Sequence, residues 1–167
     1  MPVSDPFAIH TLEAGGGLLG ICHLPGRDGD LEADIHVIAR WEPAAVVTMV
    51  EQSELDAAGV GALGERLKNI GIRWTHLPVV DFGVLSTEQM KLWPVLSQDL
   101  RGRLGNGERI LVHCRGGLGR SGMILLRLMC ELGEAPEEAL QRLRGVRPGA
   151  VETEAQMAWA TGQDISS

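Results

Sequence analysis

Ten consecutive residues, His113-Cys114-Arg115-Gly116-Gly117-Leu118-Gly119-Arg120-Ser121-Gly122, constrain this chain more than any other stretch. The short apolar run Ile110-Leu111-Val112 leads into them, and the long apolar run Met123 to Leu132 leads out. The first run predicts a buried strand and the second a helix apolar nearly all round, hence buried. Between them lie glycines that permit tight backbone turns. The chain must therefore place a strand, a compact loop and a helix N-terminus in line.

Such a loop is suited to an anion. Successive backbone N–H groups in a Gly-rich turn form a concave anion site. The next helix adds its unpaired N–H groups and the positive end of its dipole. Arg115, Gly116, Gly117, Leu118 and Gly119 would form the bowl, and the guanidinium of Arg120 would grip two phosphate oxygens at once. Cys114 would lie at the bottom. Cationic surroundings favour a thiolate, and a thiolate beneath a tetrahedral phosphate is placed for in-line attack.

The pattern C-x-x-x-x-x-R followed by Ser-Gly resembles the signature of the cysteine-dependent protein tyrosine phosphatase superfamily. The resemblance implies that Cys114 forms a phosphocysteine and that Arg120 binds the phosphoryl oxygens and stabilises the transition state. It implies that Ser121 helps the sulfur leave and that His113 supports the loop from behind. The segments Gly20-Ile21-Cys22-His23-Leu24-Pro25-Gly26 and His76-Leu77-Pro78-Val79-Val80-Asp81-Phe82-Gly83, with the loop itself, are most similar to the kinase-associated phosphatase group and its microbial relatives, of the compact dual-specificity type.

Other readings of the loop explain less. Gly117 to Gly122 also fits G-x-G-x-x-G, but a dinucleotide fold needs a second strand ending in Asp or Glu, and the chain after Gly122 reads as helical. A rhodanese-like sulfur carrier has a shorter cysteine loop. A turn around a merely buried cysteine leaves Arg120 and the glycines without a reason. A degenerate phosphatase that binds without turnover is opposed by the presence of both Cys114 and Arg120.

A leaving alkoxide or phenoxide needs a proton donor. Ile72 to Val80 reads as a strand, and Asp81 just beyond it is the candidate general acid, with Gly83 a candidate hinge; a solvated turn residue is the bland alternative. Glu51 and Glu54 come after another strand and could border the pocket. By resemblance, Gln156 positions the hydrolytic water. Thr153-x-x-Gln156 is equally a capping box. Arg147 is either a brace on carbonyls near the loop or an ordinary surface residue. Cys22 and Cys130 read as core, with a resolving-thiol role for oxidised Cys114 as the alternative.

At 167 residues the chain is long enough for one domain, 1–167, with a sizeable core. Its net charge of −7 and lack of a basic stripe argue against nucleic acid. No run is long enough to span a membrane, and Met1 to His10 shows no signal-peptide pattern. Three cysteines without paired spacing fit a reducing, cytoplasmic setting. Nothing suggests a metal, Cys22-His23 being weak evidence for one, and no cofactor is expected.

Ile9–Leu12 and Leu18–Cys22 read as strands of a hairpin around Glu13–Gly17. Helices are expected over Leu31–Trp41 and Ala58–Ile70, from Ser86 toward Arg103 with a kink or break at Pro94, and from Pro136 through Arg144, with a last one opening near Gln156. Ala44–Val50 reads as a buried strand and Arg109–His113 as the central one. The alternation predicts an α/β fold: a mostly parallel central sheet with helices on both faces, dual-specificity phosphatase-like by resemblance. Compact length favours a dual-specificity protein phosphatase acting on phosphotyrosine and possible phosphoserine or phosphothreonine partners. A phosphoinositide or inositol phosphate phosphatase, acting on another phosphomonoester, is the alternative. A non-catalytic phospho-binding module is the third reading.

Overall fold

The structure, a computed structural model, describes residues 6–162. The start of the Met1–His10 stretch and the two ends of the 1–167 span lie outside the described residues.

The elements run β1 (His10–Ala14), β2 (Gly17–Cys22), α1 (Leu31–Trp41), β3 (Ala45–Thr48), α2 (Gln52–Ala57), α3 (Leu63–Asn69), β4 (Arg73–His76), α4 (Thr87–Gly105), β5 (Arg109–His113), α5 (Gly119–Glu131), α6 (Pro136–Val146) and α7 (Glu154–Ala160). The sheet order is β1-β2-β5-β3-β4. Only the β1–β2 hairpin is antiparallel; β2–β5, β5–β3 and β3–β4 are parallel. The α/β architecture with a mostly parallel sheet is as expected.

β5 lies in the middle and is apolar along its length because both its faces are covered. Ile110, Leu111, Val112 and His113 are all fully buried. Burial of each large aliphatic side chain contributes about 1.5–3 kcal/mol relative to exposure. Two strand glycines show how closely the layers approach. A Cβ on Gly20 would meet the Trp41 ring of α1 at 2.9 Å, and one on Gly17 would meet the Leu104 backbone of α4 at 2.9 Å. Positions three apart on a strand point to opposite faces, so α1 and α4 cover opposite sides.

α1 starts where Asp30 accepts a hydrogen bond from the Ala33 N–H at 3.1 Å and stops at Glu42, whose φ is 56°. Its buried Ile35 and Ile38 are one turn apart and face the sheet. Both match the helix read from sequence.

Several boundaries differ. Of the helix expected over 58–70 only α3, Leu63–Asn69, forms; α2 is an additional short helix that ends before it, at Ala57, and Gly59 at φ 74° lies between the two. α2 arises because Glu51 and Glu54 form a reciprocal capping box. α4 runs through Pro94 without a break. The strand expected over Ile72–Val80 is regular only from Arg73 to His76. Leu77 and Val79 still donate to Thr48 at the end of β3 and to Met49 just beyond it, at 2.8 and 2.9 Å, but Pro78 between them has no N–H to give. α5 begins at Gly119, so Arg120 and Ser121 belong to its first turn rather than to the loop before it.

Registers Cys22↔His113 and Thr48↔His113 bring the C-terminal ends of β2, β5 and β3 level. In open α/β sheets this carboxyl edge is where ligands bind. Among the described residues no helix is long and apolar enough to cross a membrane.

Candidate active site

The segment 114–118 leaves β5 and curls beneath the N-terminus of α5. Each of its carbonyls is engaged from outside the curl. Cys114 O accepts from His113 Nδ1 at 3.2 Å, and Arg115 O from the Leu24 N–H at 3.0 Å. Gly116 O and Gly117 O both accept from Arg147, through Nη2 at 2.8 Å and Nε at 2.9 Å. Leu118 O accepts from Gly122 N–H at 3.1 Å and Val151 N–H at 3.0 Å. In a planar trans peptide the N–H points opposite to the C=O. The N–H groups of residues 115–119 therefore turn inward, as an anion nest requires.

Gly117 sits at φ 72°, and a Cβ there would lie 2.6 Å from the Cys22 backbone. A Cβ on Gly122 would lie 2.8 Å from the Val151 nitrogen. The glycines are thus needed where the curl presses on β2 and on the segment before α7.

Cys114 is 3% exposed, and its Sγ lies 3.2 Å from the Ser121 hydroxyl. Behind it runs a directed chain of hydrogen bonds. The Trp74 Nε1–H can only donate, and Thr48 Oγ1 accepts it at 2.8 Å. The Thr48 hydroxyl then donates to His113 Nε2 at 2.6 Å, leaving His113 Nδ1–H for the Cys114 carbonyl. Burial pushes the His113 pKa down to about 4; the Cys114 carbonyl opposes this, and the nearby His76, Arg120 and His23 add to it. His113 is therefore a neutral imidazole with one defined tautomer at neutral pH. Sequence reading put His113 behind the loop but missed Thr48 and Trp74, which only the parallel pairing of β3 with its neighbours brings there.

Arg120 is 2% exposed. Glu54 takes its guanidinium end-on: Oε2 is 2.7 Å from Nη1 and Oε1 is 2.9 Å from Nη2. Nη1 also donates to Val79 O at 2.9 Å. This leaves Nε–H and one N–H of Nη2, the side-on edge of the fork, for a ligand. Asp81 is poised at that side, its Oδ1 3.5 Å from Nη2. Burial would lower the Arg120 pKa, but Glu54, Cys114 and Asp81 together hold it above the ordinary arginine value. Burial would raise Glu54, yet its bonds to Arg120 and to the Glu51 N–H hold it below the usual carboxylate range. Glu54, read from sequence only as a border residue, is the fixed partner of Arg120. The available signal was its place three residues after Glu51, just past a strand end.

Asp81 is half exposed, in a turn closed by Gly83 N–H donating to Val80 O at 2.7 Å. The left-handed residue of this turn is Phe82 at φ 64°. The turn is held from several sides. Arg120 takes Val79 O, Gln89 Nε2 takes Pro78 O at 2.5 Å, and Gln156 Nε2 takes Gly83 O at 3.1 Å.

Gln156 is fully buried, and both ends of its amide are engaged. Oε1 accepts from Glu152 N–H at 3.0 Å and Thr153 N–H at 3.2 Å. The capping-box reading is realised, and the same side chain ties α7 to the Asp81 turn. Arg147 is the brace rather than a surface residue. Cys22 is fully buried, and burial, with Cys114 and Asp34 nearby, pushes its thiol up. Cys130 lies on α5 about 16 Å of helix beyond Gly119, whereas Cys114 lies beneath the helix N-terminus, too far away for a disulfide. Among the described residues no three His, Cys, Asp or Glu side chains converge as a metal cage.

The family model described as "Swiss Army Knife protein, DSP-PTPase phosphatase domain" matches residues 26–159. The chain belongs to this dual-specificity and tyrosine phosphatase family. Cyclin-dependent kinase inhibitor 3 of Rattus norvegicus is 30% identical over 143 residues, which is 81% of this chain and 66% of that protein. The Homo sapiens protein of the same name is also 30% identical over 143 residues, with the same coverage. The chain thus spans about two thirds of the length of these curated relatives, at 66%. Among solved structures it is similar to kinase associated phosphatase with its catalytic-site cysteine replaced by serine: TM-score 0.83, 25% identity, 96% of each chain covered. It is also similar to Tk-PTP in the active form: TM-score 0.66, 30% identity, covering 93% of this chain and 98% of that one.

Proposed function

We propose that this chain is a phosphomonoester hydrolase of the protein tyrosine and dual-specificity type that works through a phosphocysteine. The observation that carries this is the outward engagement of every carbonyl from Cys114 to Leu118. It leaves an inward ring of N–H groups above a thiol. The phosphate takes that ring and the side-on edge of Arg120. The Cys114 thiolate attacks phosphorus in line as the bond to the leaving oxygen breaks, and Asp81 gives that oxygen a proton. In the second step water attacks the phosphocysteine, Asp81 takes the water's proton, and phosphate is released. The Ser121 hydroxyl donates to the departing sulfur, for which its 3.2 Å separation is suitable.

Gln156 gives one Nε2–H to Gly83 O, holding the Asp81 turn against α7, and its second Nε2–H, beside Gly119, positions the hydrolytic water. The substrate class is a phosphorylated protein, and the family match and the kinase-named relatives support that choice. The reading includes one phosphatase domain over 1–167 and a cytoplasmic setting, for which the three free thiols Cys22, Cys114 and Cys130 speak.

Phosphate release from a phosphotyrosine peptide, a phosphothreonine peptide, a phosphoinositide and an inositol polyphosphate tests this, with Cys114→Ser as control. Turnover of the peptides, abolished in Cys114→Ser, is expected. Turnover of the inositol compounds alone would overturn the protein-phosphatase reading, and binding without turnover would make the chain a phospho-binding module.

A further inference from the structure

The geometry points to a second anion subsite beside the phosphate loop, which takes an acidic side chain next to the phosphorylated residue of a peptide substrate. The inference rests on the phosphatase reading above and specifies the sequence around its substrate.

A cavity of about 310 Å³ opens next to the loop, its lining including Leu24, Arg27, Ser53, Glu54, Ala58 and Arg115. It shares Arg115 with the phosphate loop and Glu54 with the Arg120 pair, so it continues the active site. The Arg115 backbone is tied down, its carbonyl accepting from Leu24 N–H at 3.0 Å. Its guanidinium is exposed and forms no hydrogen bond or ion pair with the described residues.

The charges facing the cavity favour an anion. Glu54 is balanced by the bidentate contact with Arg120. Asp28 lies against Arg27, at 3.2 Å from Nε and 3.3 Å from Nη2, and 3.8 Å from His23 Nε2. Glu54 and Asp28 each lie against a guanidinium, whereas Arg115, which makes no ion pair among the described residues, presents its positive charge to the cavity. The Ser53 hydroxyl offers a further donor, and Leu24, Ala57 and Ala58 give the aliphatic stem of a Glu an apolar wall. In a chain of net charge −7 this patch is a local exception. Long-range attraction is not expected, so acidic groups must be read at contact. Successive residues of an extended peptide are about 3.3 Å apart, so the neighbours of the phosphoresidue can reach this cavity.

The test compares two phosphotyrosine peptides, one with Glu and one with Gln on both sides of the phosphoresidue, using the full chain. Arg27→Gln and Ser53→Glu are measured beside the unaltered protein, with p-nitrophenyl phosphate as a substrate that cannot reach the cavity. The expected result is a kcat/KM about three- to tenfold higher for the Glu peptide, carried by KM. Both variants should lose that preference while hydrolysing p-nitrophenyl phosphate as before. Equal kcat/KM for the two peptides in the unaltered protein would overturn the subsite, as would a preference that survives in both variants. Absence of p-nitrophenyl phosphate hydrolysis would instead overturn the phosphatase reading itself.

Discussion

A single oxygen, Glu54 Oε2, joins a helix cap to the guanidinium of Arg120. It accepts the Glu51 N–H at 2.8 Å and Arg120 Nη1 at 2.7 Å. The N-terminus of α2 is thereby locked to the guanidinium, and the side-on edge of Arg120 is left free. In Glu54→Gln one charge and one of the fork's contacts are lost while a buried cation remains. Stability should fall by about 1–3 kcal/mol in urea denaturation. kcat/KM should fall about tenfold or more, because Arg120 is no longer pre-oriented for phosphate.

Thr48→Val keeps the shape of the side chain but removes its hydroxyl. Trp74 Nε1–H loses its acceptor and His113 Nε2 its donor, in a site where Thr48 and His113 are fully buried. A loss of about 2–4 kcal/mol in urea denaturation is expected. A change under about 0.5 kcal/mol would show that the chain of bonds contributes little.

His113 makes stability depend on pH. Its pKa falls from 6.5 to about 4 on burial in the folded state. Between those values the unfolded chain binds a proton that the folded one does not, so stability rises with pH across that window. On acidification it should drop through the same window by about 3 kcal/mol at most. His113→Gln should flatten that part of the profile, measured as denaturation midpoint against pH. Glu54 and Glu131 are held below the ordinary carboxylate range, so their contribution is present above it and is lost at lower pH still.

Arg147→Lys retains the charge but not the fork that reaches Gly116 O and Gly117 O together. The curl should loosen. We expect KM for phosphate esters, and the inhibition constant of inorganic phosphate, to rise about tenfold with a smaller change in kcat.

Asp81→Asn should slow hydrolysis most for alkyl phosphates and least for activated aryl phosphates, whose leaving groups need no proton. An equal loss across leaving groups would reduce Asp81 to a turn residue. The measurement is kcat/KM against leaving-group pKa.

The strand–loop–helix unit was legible because its signals are local. The apolar run 110–112, the glycines and the long apolar run after them each act within a few residues. The same holds for the hairpin, for α1, and for the Thr153–Gln156 box. Boundaries failed where a local signal was weak or overridden. Pro94 did not break α4. A short helix at Gln52–Ala57 depended on one capping pair.

Sequence alone determined the inventory and order of parts: Cys114, Arg120 and Ser121 in one strand–loop–helix unit, Asp81 after another strand, His113 before the cysteine. The partners of those groups were decided by tertiary structure. Glu54 meets Arg120, Thr48 meets His113, and Arg147 meets Gly116 and Gly117 across long stretches of chain. The physical reason is range. Backbone propensity and capping act between near neighbours, whereas desolvating a guanidinium, an imidazole or a row of carbonyls creates a demand that only residues brought in by sheet order and helix packing can meet.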